Sequence, residues 1–226
     1  MKVKIAPSLE CIDFLNIQKE IEILDQKADY YHVDMMDWHY SKSLGLSPSF
    51  IESVRSISDV PIEAHMYIDN IDLDLIDACI DAGSDIITMP PEVVLASTMR
   101  FIRHIKSRGK DVGFFIAPGH RVDIIEPYIN YIDYLVINMV DPGFPGQKLV
   151  PESIDKISEA RALRDKYQRN FQITVDGNCS KPYYKKFYNA GADIFVLGSS
   201  GLFNLSEDTQ KALDMAERHI IETLAD

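Results

Sequence analysis

The sequence predicts a single-domain α/β fold, a (β/α)8 or TIM barrel spanning residues 1–226. Eight short apolar runs recur along the chain, as expected of parallel strands that are buried on both faces. Segments with helical spacing of apolar residues separate these runs. No linker, low-complexity segment or break in composition divides the chain, and its length is typical of one such barrel.

The predicted strands follow a repeated plan. In four of them an aspartate directly precedes a short run of β-branched or aromatic residues, and these aspartates are Asp29, Asp85, Asp133 and Asp193. The other four strands are expected within residues 3–6, 60–66, 112–116 and 171–175. All eight runs have the short length that is typical of strands rather than helices.

Amphipathic segments predict the helices between these strands. The first helix is expected to bury one face carrying Phe14, Ile17, Ile21 and Leu24. Another helix is expected to end at Gly83, and the last helix is expected to begin near Ser206. Regular alternation of strands and helices predicts a parallel sheet whose right-handed crossovers can close into a barrel. An open doubly wound sheet is the alternative, but no Gly-x-Gly-x-x-Gly follows the first strand.

Composition limits the partners and the compartment. The net charge of -12 argues against nucleic acid as the main partner, because phosphate backbones require clustered Lys and Arg. No apolar run approaches the roughly 20 residues that span a bilayer, and no signal peptide is evident, so no membrane partner is expected. The three cysteines are odd in number and widely spaced, which predicts a reducing, cytoplasmic location.

Metal-ligand residue types lie at the ends of three predicted strands. They are His32 and Asp34 on the second strand, His65 on the third and Asp176 on the seventh. Functional groups of barrels cluster at the C-terminal strand ends. Each residue alone could be a satisfied polar group, but together they suit one divalent cation such as Zn, Fe, Mn or Co.

Glycine-rich segments follow the last three predicted strands. They are residues 141–147, Gly177 and residues 198–201. A single glycine loop is more often only a turn. Barrels, however, often bind phosphate in the loops after strands seven and eight, where glycines let backbone N–H groups approach an anion. The sequence therefore predicts a small phosphorylated ligand.

These motifs resemble the ribulose-phosphate 3-epimerase family over essentially the whole chain. The matching segments are residues 6–8, 32–37, 65, 141–144 with 146–147, 175–177 and 198–199. Residues 198–204, together with 140–142, are more similar to the D-allulose-6-phosphate 3-epimerase branch than to the pentose branch. The resemblance implies a homo-oligomer acting on D-allulose 6-phosphate and D-fructose 6-phosphate, with D-ribulose 5-phosphate as the alternative.

The resemblance also implies roles for individual residues. One divalent ion, preferably Zn, would be held by His32, Asp34, His65 and Asp176. Asp34 and Asp176 would be the base and the acid that invert C3 through an enediolate. The implied substrate-binding residues are Ser8, Met36, Gly143, Phe144, Gly146, Gly177, Asn178, Gly198 and Ser199.

Several residues depart from the family pattern. Trp38 replaces a glycine, Tyr67 and Asn138 stand where methionines are common, Pro90 replaces a histidine and Ala117 an asparagine. They leave open a different ketose phosphate or a sugar-phosphate-binding homologue without turnover. A metal-dependent aldolase or isomerase is a further alternative. Its Schiff-base form would need a lysine at a strand end, and none is found there.

Overall fold

Eight parallel β-strands surround a common axis in the structure, a computed structural model that describes residues 3–143 and 146–225. Phe144, one of the expected substrate-binding residues, lies outside these ranges. The strands are β1 (Lys4–Pro7), β2 (Tyr31–Met36), β3 (Ile62–Tyr67), β4 (Ile86–Met89), β5 (Asp111–Ile116), β6 (Tyr134–Asn138), β7 (Gln172–Asp176) and β8 (Ile194–Leu197). Each predicted run contributes one of them.

The sheet curls into a nearly closed barrel. From β2 to β8, every strand pairs with its neighbour in sequence, and β8 pairs with β1. The remaining gap, between β1 and β2, is spanned by an isolated parallel bridge between Ser8 and His32. The (β/α)8 prediction is therefore confirmed, and the open doubly wound alternative is wrong.

Helices cover the outside of the barrel. They are α1 (Ile17–Leu24), α2 (Pro48–Arg55), α3 (Leu73–Asp81), α4 (Pro91–Val94), α5 (Thr98–Ser107), α6 (Ser153–Lys166), α7 (Lys181–Ala190) and α8 (Thr209–Ala225). Both α4 and α5 lie between β4 and β5, whereas β5 and β6 are joined by a 3₁₀ helix, Val122–Tyr128. Pro127 lies in that 3₁₀ helix and lacks the N–H that an α-helix would use. No helix within the described ranges is both long and apolar enough to cross a membrane.

The expected limits of the first and last helices need correction. Phe14 was expected on the buried face of the first helix, but it precedes α1 and is 48% exposed, with its ring against Phe50. The buried face of α1 is formed by Ile21 and Leu24. The last helix begins at Thr209, three residues after Ser206.

The four repeated aspartates link neighbouring strands by hydrogen bonds at the N-terminal end of the barrel. Each carboxylate precedes one strand and accepts a hydrogen bond from the backbone N–H of the strand before it. The bonds run from Ile5 to Asp29, from Ile62 to Asp85, from Val112 to Asp133 and from Ile173 to Asp193, at 2.8–3.1 Å. This ring of structural carboxylates leaves the opposite, C-terminal end for function, as in other barrels.

Candidate active site and metal centre

Strand register brings the predicted metal ligands into the barrel interior. His32 of β2 lies opposite Glu63 of β3, and Asp34 lies opposite His65. Residues two apart on a strand point to the same face, so all four side chains share the interior face. Asp176, the last residue of β7, reaches the same place from across the barrel.

His32 lies at the centre of this group and is fully buried. Its Nε2 is 3.1 Å from Asp34 Oδ1 and 4.0 Å from Asp176 Oδ2. The other oxygen of Asp34 accepts a 2.9 Å hydrogen bond from the hydroxyl of Ser8. Two carboxylates therefore face one imidazole nitrogen, an arrangement that is stabilised by a positive charge, either on the imidazolium of His32 or on a bound cation.

Glu63 orients His32 from the other side, and the sequence analysis did not identify it. Its Oε2 is 2.6 Å from His32 Nδ1, and its Oε1 accepts a 2.5 Å hydrogen bond from the Thr88 hydroxyl. A carboxylate on Nδ1 holds the proton there and leaves the Nε2 lone pair free for a ligand. Its position two residues before His65, on the same face of β3, was the signal that could have revealed it.

His65 has no hydrogen-bond partner for either ring nitrogen among the described residues, although it is fully buried. Its Nδ1 is 3.8 Å from Glu63 Oε1, which is too long for a hydrogen bond. Its ring is stacked on Phe115 at a centroid distance of 4.6 Å and tilted against His32 at the same distance. An unpaired buried imidazole is costly unless a ligand satisfies it.

The potential ligand atoms fall into two overlapping groups that share His32. One contains His32, Glu63 and His65, and the other contains His32, Asp34 and Asp176. The unsatisfied nitrogens of His65 and the two carboxylates that face His32 fit a divalent cation.

The two aspartates differ in acidity. Burial raises the pKa of Asp176, and the neighbouring Asp34 carboxylate raises it further. Burial acts in the same direction on Asp34, but the adjacent His32 overcomes it and lowers the pKa of that carboxyl. Burial opposes the charged form of His32, yet Asp34 and Glu63 together hold its pKa well above the usual range. Oppositely shifted carboxyl groups are suited to separate acid and base roles.

A pocket opens above these groups at the C-terminal end of the barrel. The expected site residues that line it are Ser8, Asp34, Met36, Gly143, Gly146, Asp176, Gly177, Asn178, Gly198 and Ser199. His32 and His65 do not belong to its lining and lie buried in the barrel interior. No Lys or Arg is found among the described lining residues.

The loop after β7 has an unusual backbone. Gly177 (φ 92°) and Asn178 (φ 48°) are consecutive residues in the left-handed region. A Cβ at Gly177 would lie 2.7 Å from Val140 Cγ2, so only glycine fits between the two loops. A left-handed asparagine is uncommon and is typical of constrained functional segments.

Three further lining residues were missed by the sequence analysis or treated only as departures. Glu10, just after β1, has its pKa raised to about 7 by burial, with Asp34 and Asp176 adding to the shift. Cys11 places its Sγ 3.4 Å from Ser199 Oγ. Tyr67 donates a hydrogen bond to Asp176 Oδ2 at 3.1 Å. Glu10 and Cys11 belong to the turn that follows the first-strand motif, and no pattern in the sequence marked them.

Of the other departures, Asn138 donates a hydrogen bond to Tyr67, whereas Trp38, Pro90 and Ala117 are not among the described lining residues. Trp38 is 55% exposed, with Lys42 Nζ 6.0 Å from its ring centroid. Pro90 caps α4, and Ala117 follows β5. His120 approaches Glu92, with 3.7 Å between its Nδ1 and Glu92 Oε1, rather than the predicted metal ligands.

Known proteins show which family shares this arrangement. A family model described as "Ribulose-phosphate 3 epimerase family" matches residues 4–203. The chain is 32% identical over 200 residues to ribulose-phosphate 3-epimerase of Bacillus subtilis (strain 168), with 88% of this chain and 91% of that protein covered. It is 33% identical over 207 residues to ribulose-phosphate 3-epimerase of Buchnera aphidicola subsp. Baizongia pistaciae, with 90% of each covered.

Solved structures share the fold at lower identity. A ligand complex of KGPDC from Streptococcus mutans has a TM-score of 0.77 at 12% identity, with 98% of each chain covered. The 3-hexulose-6-phosphate synthase from Salmonella typhimurium has a TM-score of 0.71 at 14% identity, covering 97% of this chain and 99% of that one.

The match to the family model and the identity to the two epimerases show that this chain belongs to the ribulose-phosphate 3-epimerase family and is a ketose-phosphate 3-epimerase, an isomerase acting on carbohydrates.

Proposed function

We propose that this enzyme inverts C3 of D-allulose 6-phosphate to give D-fructose 6-phosphate, with Asp34 and Asp176 as the base and the acid. The proposal rests on two carboxylates, the buried Asp34 of β2 and the partly buried Asp176 of β7, that enter one pocket. One carboxylate takes the C3 proton, and the electron pair of the broken C–H bond moves onto the neighbouring carbonyl to give an enediolate. The other carboxyl group returns a proton to the opposite face of C3.

A divalent metal ion completes this site. Members of the family depend on such an ion. The residues we propose to hold it are His32, Asp34, His65 and Asp176; His32, Asp34 and Asp176 have ligand atoms within 4.8 Å of one another, and His65 lies with His32 and Glu63 in the overlapping group. Zn is favoured, and Fe, Mn or Co would also suit this set of imidazoles and carboxylates. When bound, the ion supplies Lewis-acid stabilisation of the negative charge on the substrate oxygens. Glu63 keeps the Nε2 lone pair of His32 available for this role.

The phosphate is proposed to bind the backbone on the far side of the pocket. The lining there contains Gly146, Gly177, Gly198 and Ser199. Since no Lys or Arg is found among the described lining residues, an anion would be bound by uncharged donors, which include backbone N–H groups, the hydroxyls of Ser199 and Ser200 and the amide of Asn178. The same scarcity of cations explains why an anionic sugar would need the metal ion.

The choice of sugar rests on the similarity of residues 198–204 and 140–142 to the hexulose branch of the family. D-Ribulose 5-phosphate is the second candidate substrate, because the curated relatives at 32% and 33% identity carry that activity in their names. The acid/base pair serves either sugar, since both reactions invert the carbon next to the ketone.

Proton exchange at C3 tests the reaction and separates the sugars. Metal-loaded enzyme is incubated in deuterated water with D-allulose 6-phosphate or D-ribulose 5-phosphate, and the C3 signal is followed by NMR. Exchange accompanied by inversion is expected on the hexulose phosphate. Inversion of only the pentulose phosphate would transfer the assignment to the second candidate. Absence of C3 proton exchange with both sugar phosphates, while metal is bound, would refute the proposed reaction.

Replacement of one carboxylate tests the mechanism. Asp176→Asn is expected to lower kcat by about 100-fold or more, because the proton can no longer be delivered to one face of C3. Turnover is measured by NMR at saturating metal, with exposed Asp59→Asn as the matched control. Retained turnover in Asp176→Asn would refute its role as acid or base.

A further inference from the structure

The hydroxyl of Tyr67 connects two polar side chains at the wall of the pocket. It lies 2.8 Å from Asn138 Nδ2 and 3.1 Å from Asp176 Oδ2. Asn138 is 1% exposed and Tyr67 is 5% exposed, so water does not compete strongly for these bonds. Asn138 Oδ1 is buried without a hydrogen-bond partner among the described residues. Among those residues, the Asn138 side chain makes its hydrogen bond to Tyr67.

The chemistry of the three groups fixes the direction of both hydrogen bonds. When Asp176 is ionised its carboxylate can only accept, so in that state the single phenolic proton of Tyr67 is donated to Asp176. Asn138 must then present its N–H to the phenolic oxygen, which is the orientation that the structure has. The result is a chain of donation from Asn138 through Tyr67 to Oδ2 of Asp176.

The surroundings of Tyr67 keep its hydroxyl in place. Its ring lies against His65 (4.4 Å between centroids) and Phe115 (4.9 Å). Asn138 and Asp176 are register partners on β6 and β7, whereas Tyr67 comes from β3 across the barrel. Three strands therefore determine the position of one carboxylate oxygen. Methionines at residues 67 and 138 could not donate these hydrogen bonds.

We propose that Tyr67, held by Asn138, is a positioning residue for Asp176. The inference rests on the proposed function, in which Asp176 delivers or removes a proton at one face of C3. Donation from Tyr67 fixes Oδ2 and thereby directs the free oxygen, Oδ1, toward the substrate. Without the hydroxyl, the carboxylate turns about its side-chain bonds, and only the proton transfer on its own face of the sugar slows.

The test compares two variants that each lose one buried phenolic hydroxyl. Tyr67→Phe removes the donor to Asp176. Tyr30→Phe removes a hydroxyl that lies 3.3 Å from Thr174 Oγ1, also on β7 but two residues before Asp176. We expect kcat to fall roughly 10- to 100-fold in Tyr67→Phe, with little change in KM, and to stay near wild type in Tyr30→Phe.

Isotope partitioning separates positioning from a structural role. In deuterated water, the ratio of C3 deuterium in recovered substrate to that in product reports how the enediolate divides between the two carboxyl groups. In Tyr67→Phe only proton transfer by Asp176 is slowed. When Asp176 protonates the product, the ratio should therefore rise, and when the reaction starts from the other epimer and Asp176 protonates the substrate, the ratio should fall. A lower rate with wild-type ratios from both epimers would overturn the proposal.

Calorimetric titration with Co²⁺ gives a second readout that does not depend on turnover. Asp176 is among the proposed ligands, so Tyr67→Phe is expected to bind Co²⁺ about tenfold more weakly, whereas Tyr30→Phe should bind it like wild type. Equal affinity in Tyr67→Phe and wild type would overturn the proposal.

The variant Asn138→Leu tests the support of Tyr67. It keeps the Tyr67 hydroxyl and removes the hydrogen bond from Asn138, so it should shift the deuterium ratios of substrate and product less than Tyr67→Phe does. Unshifted deuterium ratios in Asn138→Leu would also count against the proposal.

The outcomes distinguish this inference from the proposed function. Wild-type enzyme that fails to exchange the C3 proton of either sugar refutes the function itself. Wild-type enzyme that exchanges it, together with a Tyr67→Phe variant that matches wild type, refutes only the role of Tyr67.

Discussion

Glu63 illustrates how one buried residue prepares the histidine beside it. The carboxylate is 1% exposed and is held between the imidazole of His32 and the hydroxyl of Thr88. Burying a carboxylate is costly unless both oxygens are paired, and here both are. The pairing sets the tautomer of His32, and therefore whether its Nε2 can bind a metal ion.

Exchange of this carboxylate for an amide should weaken metal binding. Glu63→Gln can donate its N–H₂ to Nδ1 of His32, which moves the imidazole proton to Nε2 and occupies the ligand position. We expect the Kd for Co²⁺ to rise roughly 10- to 100-fold in calorimetric titration. The matched control is Glu20→Gln, a second buried glutamate, whose partner is Thr209 outside the pocket. Comparable Kd values in both variants would show that Glu63 has no orienting role.

Two features of the sequence explain which site residues could be predicted: the type of each residue, and whether it lies two positions from another polar residue on the same strand. His32 and Asp34 are two apart on a predicted strand, so a shared face followed directly from the sequence. Glu63 has the same relation to His65, and the same rule would have found it. Glu10 has no such relation, because it reaches the pocket from a turn whose path depends on the packing of Leu9 into the core.

At the level of elements, the repeated aspartates determine how strands begin. Asp193 precedes β8 and accepts the backbone N–H of Ile173 on β7 at 2.8 Å, while Arg164 of α6 pairs with the same carboxylate. One side chain thus joins two strands and a helix. The repeat was visible in the sequence, but the backbone N–H that donates each hydrogen bond was not, because it lies on the preceding strand.

Loss of this carboxylate should destabilise the barrel without altering its chemistry. Asp193→Ala leaves the N–H of Ile173 unpaired and removes the partner of Arg164. We expect the free energy of unfolding to fall by about 1–3 kcal/mol in urea denaturation, with kcat unchanged. Asp59→Ala, at an exposed residue, should change it by less than about 0.5 kcal/mol. Equal stability of the two variants would contradict the capping role.

Helix limits were less predictable than strands. The spacing of Phe14, Ile17, Ile21 and Leu24 fits a helix, yet α1 begins only at Ile17. Phe14 instead packs its ring on Phe50, which lies in α2. Side-chain periodicity indicates which face is buried, but the residue at which a helix begins depends on neighbouring elements that a local pattern does not contain.

At the level of the whole molecule, the barrel couples distant strands through its packed interior. Gly113 on β5 lies against Thr88 of β4, Thr88 donates to Glu63 of β3, and Glu63 pairs with His32 of β2. A Cβ at Gly113 would lie 2.2 Å from Thr88 Oγ1, well inside contact distance. A chain of contacts across four adjacent strands thus links Gly113 to the proposed metal centre, and in a close-packed interior we expect a change in volume at Gly113 to reach it.

Gly113→Ala should therefore reduce both stability and metal affinity. Overpacking of this kind costs about 1–3 kcal/mol, and displacement of Thr88 releases Glu63 from one of its hydrogen bonds. Urea denaturation and Co²⁺ titration measure the two effects. Gly119→Ala is the matched control, because its Cβ would have no atom within 4 Å. Lower stability with unaltered Co²⁺ affinity would show that Thr88 does not influence the metal centre.

The sequence by itself determined the barrel, the family and a candidate set of ligand and pocket residues. These depend on local information: apolar runs of strand length, alternation with helices, and polar residues at strand ends. The tertiary structure decided which groups meet across the barrel. Tyr67, Asn138 and Asp176 come from three strands that are far apart in the chain, and their hydrogen bonds exist only because closure of the sheet brings those strands to one pocket.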